Sequence, residues 1–265
     1  MYDIHVHSSF SPDSESGITE YLKRIDEGRL KGIGFAEHLD FLPECGALGF
    51  LDYPSYKKEV GRHRENGYQI FAGAEVDYAT RVVPEILERL KQETYDYTIC
   101  SIHMVQGKSL SDRNIDDLVN KDSFRTIVSE YYKELKEGLR IEAFDVIGHI
   151  GVFKRYIEAE FYIEHNLKPW LDELDFEAAR ICADSNKIIE VNTSGLFATV
   201  QSVVPGELFL REYYNMGGRT ISLSSDAHNA VHAGRGFDIA VSLLKSIGFD
   251  YLYLPWDKEN PIKIP

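Results

Sequence analysis

Asp3-Ile4-His5-Val6-His7, with Asp13 six residues further on, stands near the start of this 265-residue chain and decides how the rest is read. In an extended strand, residues i and i+2 point to the same face, so His5 and His7 can grip one cation. Working outward, six more apolar runs follow: Gly32–His38, Gln69–Glu75, Tyr95–His103, Phe144–His149, Lys187–Asn192 and Arg219–Asp226. With Tyr2–His7 they make seven predicted strands. Most are continuously apolar rather than alternating, the pattern of parallel strands covered on both faces.

Helical periodicity lies between the strands. Val83, Ile86, Leu87 and Leu90 follow i, i+3, i+4, i+7, with Pro84 acceptable in a first turn. Phe124, Ile127, Val128, Tyr131 and Leu135 repeat the spacing up to Gly138, and Phe237, Ala240, Val241 and Leu244 do so before Gly248. Ile18–Gly28 fits a shorter helix. Alternation of strand and helix along the whole chain predicts an α/β fold with a parallel sheet, and seven repeats are nearly enough for a TIM-like barrel. Leu42–Lys57 (LPECGALGFLDYPSYK) reads as a loop that carries function or forms a lid. No Gly/Pro/Ser-rich linker interrupts the pattern, so one domain over residues 1–265 is expected.

Lys and Arg number 29 against 43 Asp and Glu, a net charge of −14. That balance disfavours nonspecific binding to nucleic acid or an anionic membrane. An anionic substrate stays possible, because bound cations reverse the sign locally. The cysteines are Cys45, Cys100 and Cys182, an odd number without CxxC spacing. A reducing, cytoplasmic setting is the simplest expectation, with Cys100 in the core. The opening MYDIHVH reads as neither a signal peptide nor a transit peptide, and no apolar stretch approaches the ~20 residues of a membrane span. Nothing in the sequence fixes an oligomeric state.

Each strand but the sixth ends in a potential ligand. His5 and His7 close the first, His38 the second, Glu75 the third, His103 the fourth and His149 the fifth. The seventh ends in Asp226, followed by His228. A lone buried histidine is more often a hydrogen-bonded core residue, and a lone acid at a strand end more often a helix cap. Nine such residues, Asp13 included, at successive ends of one strand set are a different matter. His63, His165 and His232 lie in polar contexts and are read as solvated surface. Imidazole with carboxylate suits zinc, manganese or iron, while the lack of cysteine ligands argues against a structural zinc knuckle. Nine ligands exceed one ion's needs and suit two or three divalent ions. Three such ions against three acids leave a positive centre, a good host for a phosphate dianion.

In order, DIHVHSSFSPDSE, GFAEHLD, GAEVDY, SIHM, FDVIGHIGVFKRY, EVNTSG and SSDAH resemble the motifs of the PHP (polymerase and histidinol phosphatase) superfamily. DY after GAEV, KRY after GHIGVF and NTSGL resemble its histidinol-phosphatase branch. The resemblance implies a distorted (β/α)7 TIM-like barrel with a trinuclear site. His5, His7, Glu75 and Asp226 would hold one ion. Glu75 would bridge to a second, held by His103 and His149. Asp13, His38 and His228 would hold the third; Asp13 stands where many relatives have His. The implied activity is a phosphomonoesterase of histidine biosynthesis, turning L-histidinol phosphate and water into L-histidinol and phosphate. A hydroxide bridging two ions would attack phosphorus. Glu75, Asp226 and His228 take the catalytic roles, Arg155 the phosphate contact, and Tyr156 and Met104 line the pocket.

One position departs from that branch. Phe197 follows NTSGL, where a basic residue typically helps grip phosphate, and Phe cannot donate a hydrogen bond. Arg155, Arg81 and Arg235 are the remaining candidate cations. Phe197 also motivates a second reading, a related enzyme for another small phosphate ester or a nucleotide. A non-catalytic metal-binding interaction module is a third, opposed by the intact nine. A two-metal amidohydrolase would want a metal-bridging strand-end lysine, and none matches.

Overall fold

The computed structural model describes residues 1–111 and 121–265. Seven parallel strands lie side by side in chain order: Tyr2–Val6, Gly32–Leu39, Ile70–Asp77, Tyr97–Ser101, Val146–Ile147, Ile188–Asn192 and Ile221–Ser224. Each falls within or close to a predicted run, but several are shorter. The chain leaves the ladder just before His7, and two residues before His103, His149 and Asp226. Those side chains are thereby freed to turn over the strand ends. The first and last strands meet just beyond this point. Asp226 N–H donates to the His5 carbonyl and His7 N–H to the Ala227 carbonyl, both at 2.9 Å. The sheet is thus a nearly closed, distorted barrel of the TIM-like kind.

A helix follows every strand: Ile18–Asp26, Tyr53–Glu65, Val83–Gln92, Lys121–Gly138, Lys168–Ala183, Glu207–Asn215 and Phe237–Ile247. The second corrects one expectation. The loop predicted over Leu42–Lys57 stops at Asp52, whose carboxylate accepts the Ser55 N–H at 3.2 Å and caps a helix with Pro54 in its first turn. A loop reading missed this because the helix buries only Tyr56, Val60 and His63. His63 is accordingly not a surface residue.

The barrel interior changes character along its axis. At the N-terminal ends of the strands it is apolar: Ile4, Ala36, Tyr97, Ile99, Val146, Ile188 and Leu254 pack together, joined by Phe71 and Trp256. The Tyr97 ring needs the space that Gly73 leaves, since a Cβ there would meet its Cζ at 2.3 Å. Trp256 stacks on Phe71 with centroids 3.8 Å apart and belongs to a C-terminal antiparallel hairpin, Tyr251–Leu254 with Asp257–Lys263. That hairpin plugs the barrel floor and was not anticipated. Toward the C-terminal ends the interior turns polar. A register shift in the first strand between Asp3 and Val6 marks the change. Ile4 packs into the apolar floor, and the shift lets the next residue, His5, also face inward.

Candidate functional site

At the C-terminal mouth the nine residues form one continuous cluster. Glu75, buried at its centre, has His5 Nε2, His7 Nε2 and His38 Nδ1 at 3.3, 3.4 and 3.2 Å from Oε2. His103 Nε2 and His149 Nε2 approach Oε1 at 3.3 and 2.8 Å. Asp226 Oδ1 lies 3.5 Å from His7 Nε2. Asp13, exposed at the rim, reaches His38 Nε2 at 3.3 Å and His228 Nε2 at 3.1 Å. Three groups of side chains can each converge on one ion: His5 with His7 and Glu75, His38 with Glu75 and His103, and His7 with His38 and His228.

The donor set fits divalent cations on its own chemistry. Ring nitrogens face one another, His5 Nε2 to His7 Nε2 at 3.1 Å and His103 Nε2 to His149 Nε2 at 3.2 Å. Glu75 Oε2 and His149 Nδ1 are buried with no hydrogen-bond partner. Buried polar atoms normally find one. Burial works against a charged His5, yet Glu75 and Glu190 carry its pKa well above the ordinary value. Burial, with His228 and His38 alongside, pushes His7 well below it. Burial would raise Glu75 and Asp226, but imidazoles, and for Asp226 also Arg155, hold both well below the carboxylate range. The cluster is organised around positive charge.

Three further acids orient the cluster. Glu190, 0 % exposed, has Oε1 at 2.6 Å from His5 Nδ1, and its other oxygen accepts the His149 N–H. Glu37 accepts from the Ser8 and Ser11 hydroxyls, and Ser11 Oγ stands 3.2 Å from His7 Nδ1. Asp77 accepts the His103 N–H at 3.0 Å and the Cys45 thiol at 2.6 Å. Sequence reasoning passed over these acids, although Glu37 and Glu190 are charged residues inside apolar strand runs, a readable signal, and Asp77 follows such a run by two residues. Partners of this kind fix the tautomer and aim of a ligand. Glu190→Gln is therefore expected to weaken metal affinity on the order of 10- to 100-fold while preserving the fold. Chelator competition measures it, and wild-type affinity would remove Glu190 from this role.

Asp13, His38, Glu75, His103, Asp226 and His228 of the cluster line a pocket of about 850 Å³. Met104, Arg155 and Tyr156 line it, and so do Phe197, His232 and Arg235. Arg155 is buried on the 3-10 turn Val152–Tyr156, and its Nη1 reaches Asp226 Oδ2 and Ser194 Oγ, both at 3.0 Å. Asp226 itself sits at φ +53°, a left-handed conformation rare for a non-glycine residue and often found at functional sites. Arg81 does not line the pocket. It is exposed and paired to Glu44 at 3.1 Å, so it drops out as a phosphate contact. Among the described residues, no helix is long and apolar enough to cross a membrane.

The family model described as PHP domain matches residues 3–194. A protein of Clostridium acetobutylicum named "Probable histidinol-phosphatase" is 27% identical over 255 residues, covering 93% of each chain. The histidinol-phosphatase of Lactococcus lactis is 25% identical over 263 residues, covering 94% of this chain and 92% of its own. A crystal structure of histidinol phosphate phosphatase from Lactococcus lactis, complexed with zinc, L-histidinol and phosphate, superposes with a TM-score of 0.79 at 23% identity, covering 99% of this chain and 98% of that one.

Proposed function

Starting from a chain that belongs to the PHP domain family, we propose a metal-dependent phosphomonoesterase acting on L-histidinol phosphate, with water and the ester giving L-histidinol and phosphate. The observation that carries this reading is the convergence of nine imidazole and carboxylate side chains around Glu75, six of which line a pocket that also holds Arg155. Full-length similarity to proteins named histidinol-phosphatase supports the ester.

Two or three divalent ions, zinc, manganese or iron, would be held by His5, His7, Asp13, His38, Glu75, His103, His149, Asp226 and His228. Bound there, they supply Lewis-acid activation of water and neutralise charge on the phosphoryl group. The chain's own residues do the rest. Glu190, Glu37 and Asp77 aim the imidazoles. Arg155 steadies Asp226 and presents its remaining edge to the phosphoryl oxygens. The water oxygen forms the new P–O bond as the bond to the histidinol oxygen breaks. Asp226 and His228, which both line the pocket, pass the proton that leaves water to the departing alkoxide.

The opposite wall favours an amine-bearing ester. Asp40, Glu44 and Asp77 line the pocket from the second and third strands and the loop between them, across the barrel from Arg155. Asp40 Oδ1 is buried with no hydrogen-bond partner, an acceptor suited to an ammonium or imidazolium donor. Turnover of histidinol phosphate, an amine-free alkyl phosphate and a nucleoside monophosphate, after defined metal loading, tests the assignment. Histidinol phosphate should lead in kcat/KM by at least about tenfold, the value of one charged contact. Preference for the nucleotide, or turnover of no ester, overturns it.

A further inference from the structure

Arg155 cannot be the whole phosphate grip. Its guanidinium is engaged by Asp226 and Ser194, so part of its charge is already neutralised. Phe197 occupies the place where a second cation was expected and offers only a ring, 54% exposed. Over that ring lies another arginine: Arg235 Cζ stands 4.5 Å from the Phe197 centroid, and both residues line the pocket. We propose that Arg235, carried on the Phe197 ring, is the second phosphate-gripping cation of this chain and so a determinant of which esters it holds. The inference rests on the phosphatase reading above.

Three observations carry it. First, Arg235 is unspent. Its Nε is buried without a partner, and among the described residues its guanidinium makes no ion pair. A half-buried cation without a counter-ion is costly, and a bound anion offsets that cost. Second, its position is built. Thr193 Oγ1 lies 2.7 Å from the Arg235 carbonyl and 3.0 Å from that of Ser224, tying the loop after the seventh strand to the turn after the sixth. Gly236, at φ +74°, lets this loop run close under that turn, since a Cβ there would meet Leu196 Cδ1 at 2.8 Å and Phe197 Cε2 at 3.2 Å. Third, the stacking geometry suits the task. An aromatic face takes one face of the guanidinium and leaves the planar edge, whose donors fork onto phosphate oxygens. His232 is the other nearby candidate, but burial, then Arg235 and Arg24, depress its pKa and favour the neutral ring. The second cation thus comes from the loop after the seventh strand, stacked on the turn after the sixth.

Inorganic phosphate is the probe, titrated calorimetrically into metal-loaded protein, with ester kinetics alongside. Arg235→Met keeps the alkyl stem on the ring and removes the charge. It should weaken phosphate binding on the order of 10- to 100-fold and raise KM for the ester, with metal content unchanged. Arg235→Lys should recover part of the loss. Phe197→Leu, which leaves the charge but removes the ring, should weaken binding roughly two- to fivefold. A purely structural role would lower thermal stability without moving phosphate affinity. Wild-type phosphate affinity in Arg235→Met overturns the proposal. If that variant does not fold, wild-type affinity in both Arg235→Lys and Phe197→Leu does so. Wild-type protein that binds phosphate through Arg235 yet hydrolyses no ester overturns the enzymatic reading alone. Wild-type protein that binds no phosphate overturns both.

Discussion

Glu75→Gln should reduce kcat/KM on the order of 10³-fold or more, because water is then no longer activated at neutral pH. The carboxylate is approached by five imidazoles within 3.4 Å and by the Ser101 hydroxyl at 2.7 Å. Removing its charge takes away the one group that all of them share. Gln has nearly the same volume, so the barrel should fold. Its amide, however, brings hydrogens toward ring nitrogens whose lone pairs should point at a cation. Metal content should fall by about one ion or more per chain, since a bridging ligand serves two positions. His149→Ala should match it, removing the ring at 2.8 Å from Oε1. Retention of activity within about tenfold, a barrier change of only ~1.4 kcal/mol, would refute the central role given to Glu75.

The strands and the cluster were readable for one physical reason. Parallel strands buried on both faces leave unbroken apolar runs, and a polar residue ending such a run stands out. His38 and Glu75 could be assigned to strand ends in this way. Of the seven helices that follow the strands, helical spacing was read in four. Lys168–Ala183 and Glu207–Asn215 escaped, as did Tyr53–Glu65. The C-terminal hairpin shows alternation in Tyr251-Leu252-Tyr253-Leu254, but its place under the barrel depends on Trp256 meeting Phe71, a contact between residues far apart in sequence. Pairing across the barrel was likewise invisible. Glu190 touches His5 from 185 residues away. Arg81 and Arg235 looked equivalent as free cations until Glu44 claimed one and Phe197 the other.

Stripping the metals should abolish turnover and lower the melting temperature, with both restored on reloading. Without cations the cluster is held by protons. Burial opposes charge on His38, His103 and His228, yet neighbouring carboxylates raise all three above the ordinary imidazole value, as they do His5. A ligand present at 100 times its Kd stabilises by about 2.7 kcal/mol per site. For a chain of this size that is roughly 5–10 °C of melting temperature for one tight site, and more for two. The pH dependence has a definite sign. Histidines with raised folded-state pKa values stabilise the stripped protein in acid and lose that contribution as pH rises through those values. Metal affinity moves the other way, because ligands must shed protons to bind. The gap in melting temperature between loaded and stripped protein should therefore widen from about pH 6 to about pH 8. Scanning calorimetry of both forms measures it. A stripped protein, verified by elemental analysis, that melts with the loaded one at every pH would show that the cluster binds no ion that matters to this fold.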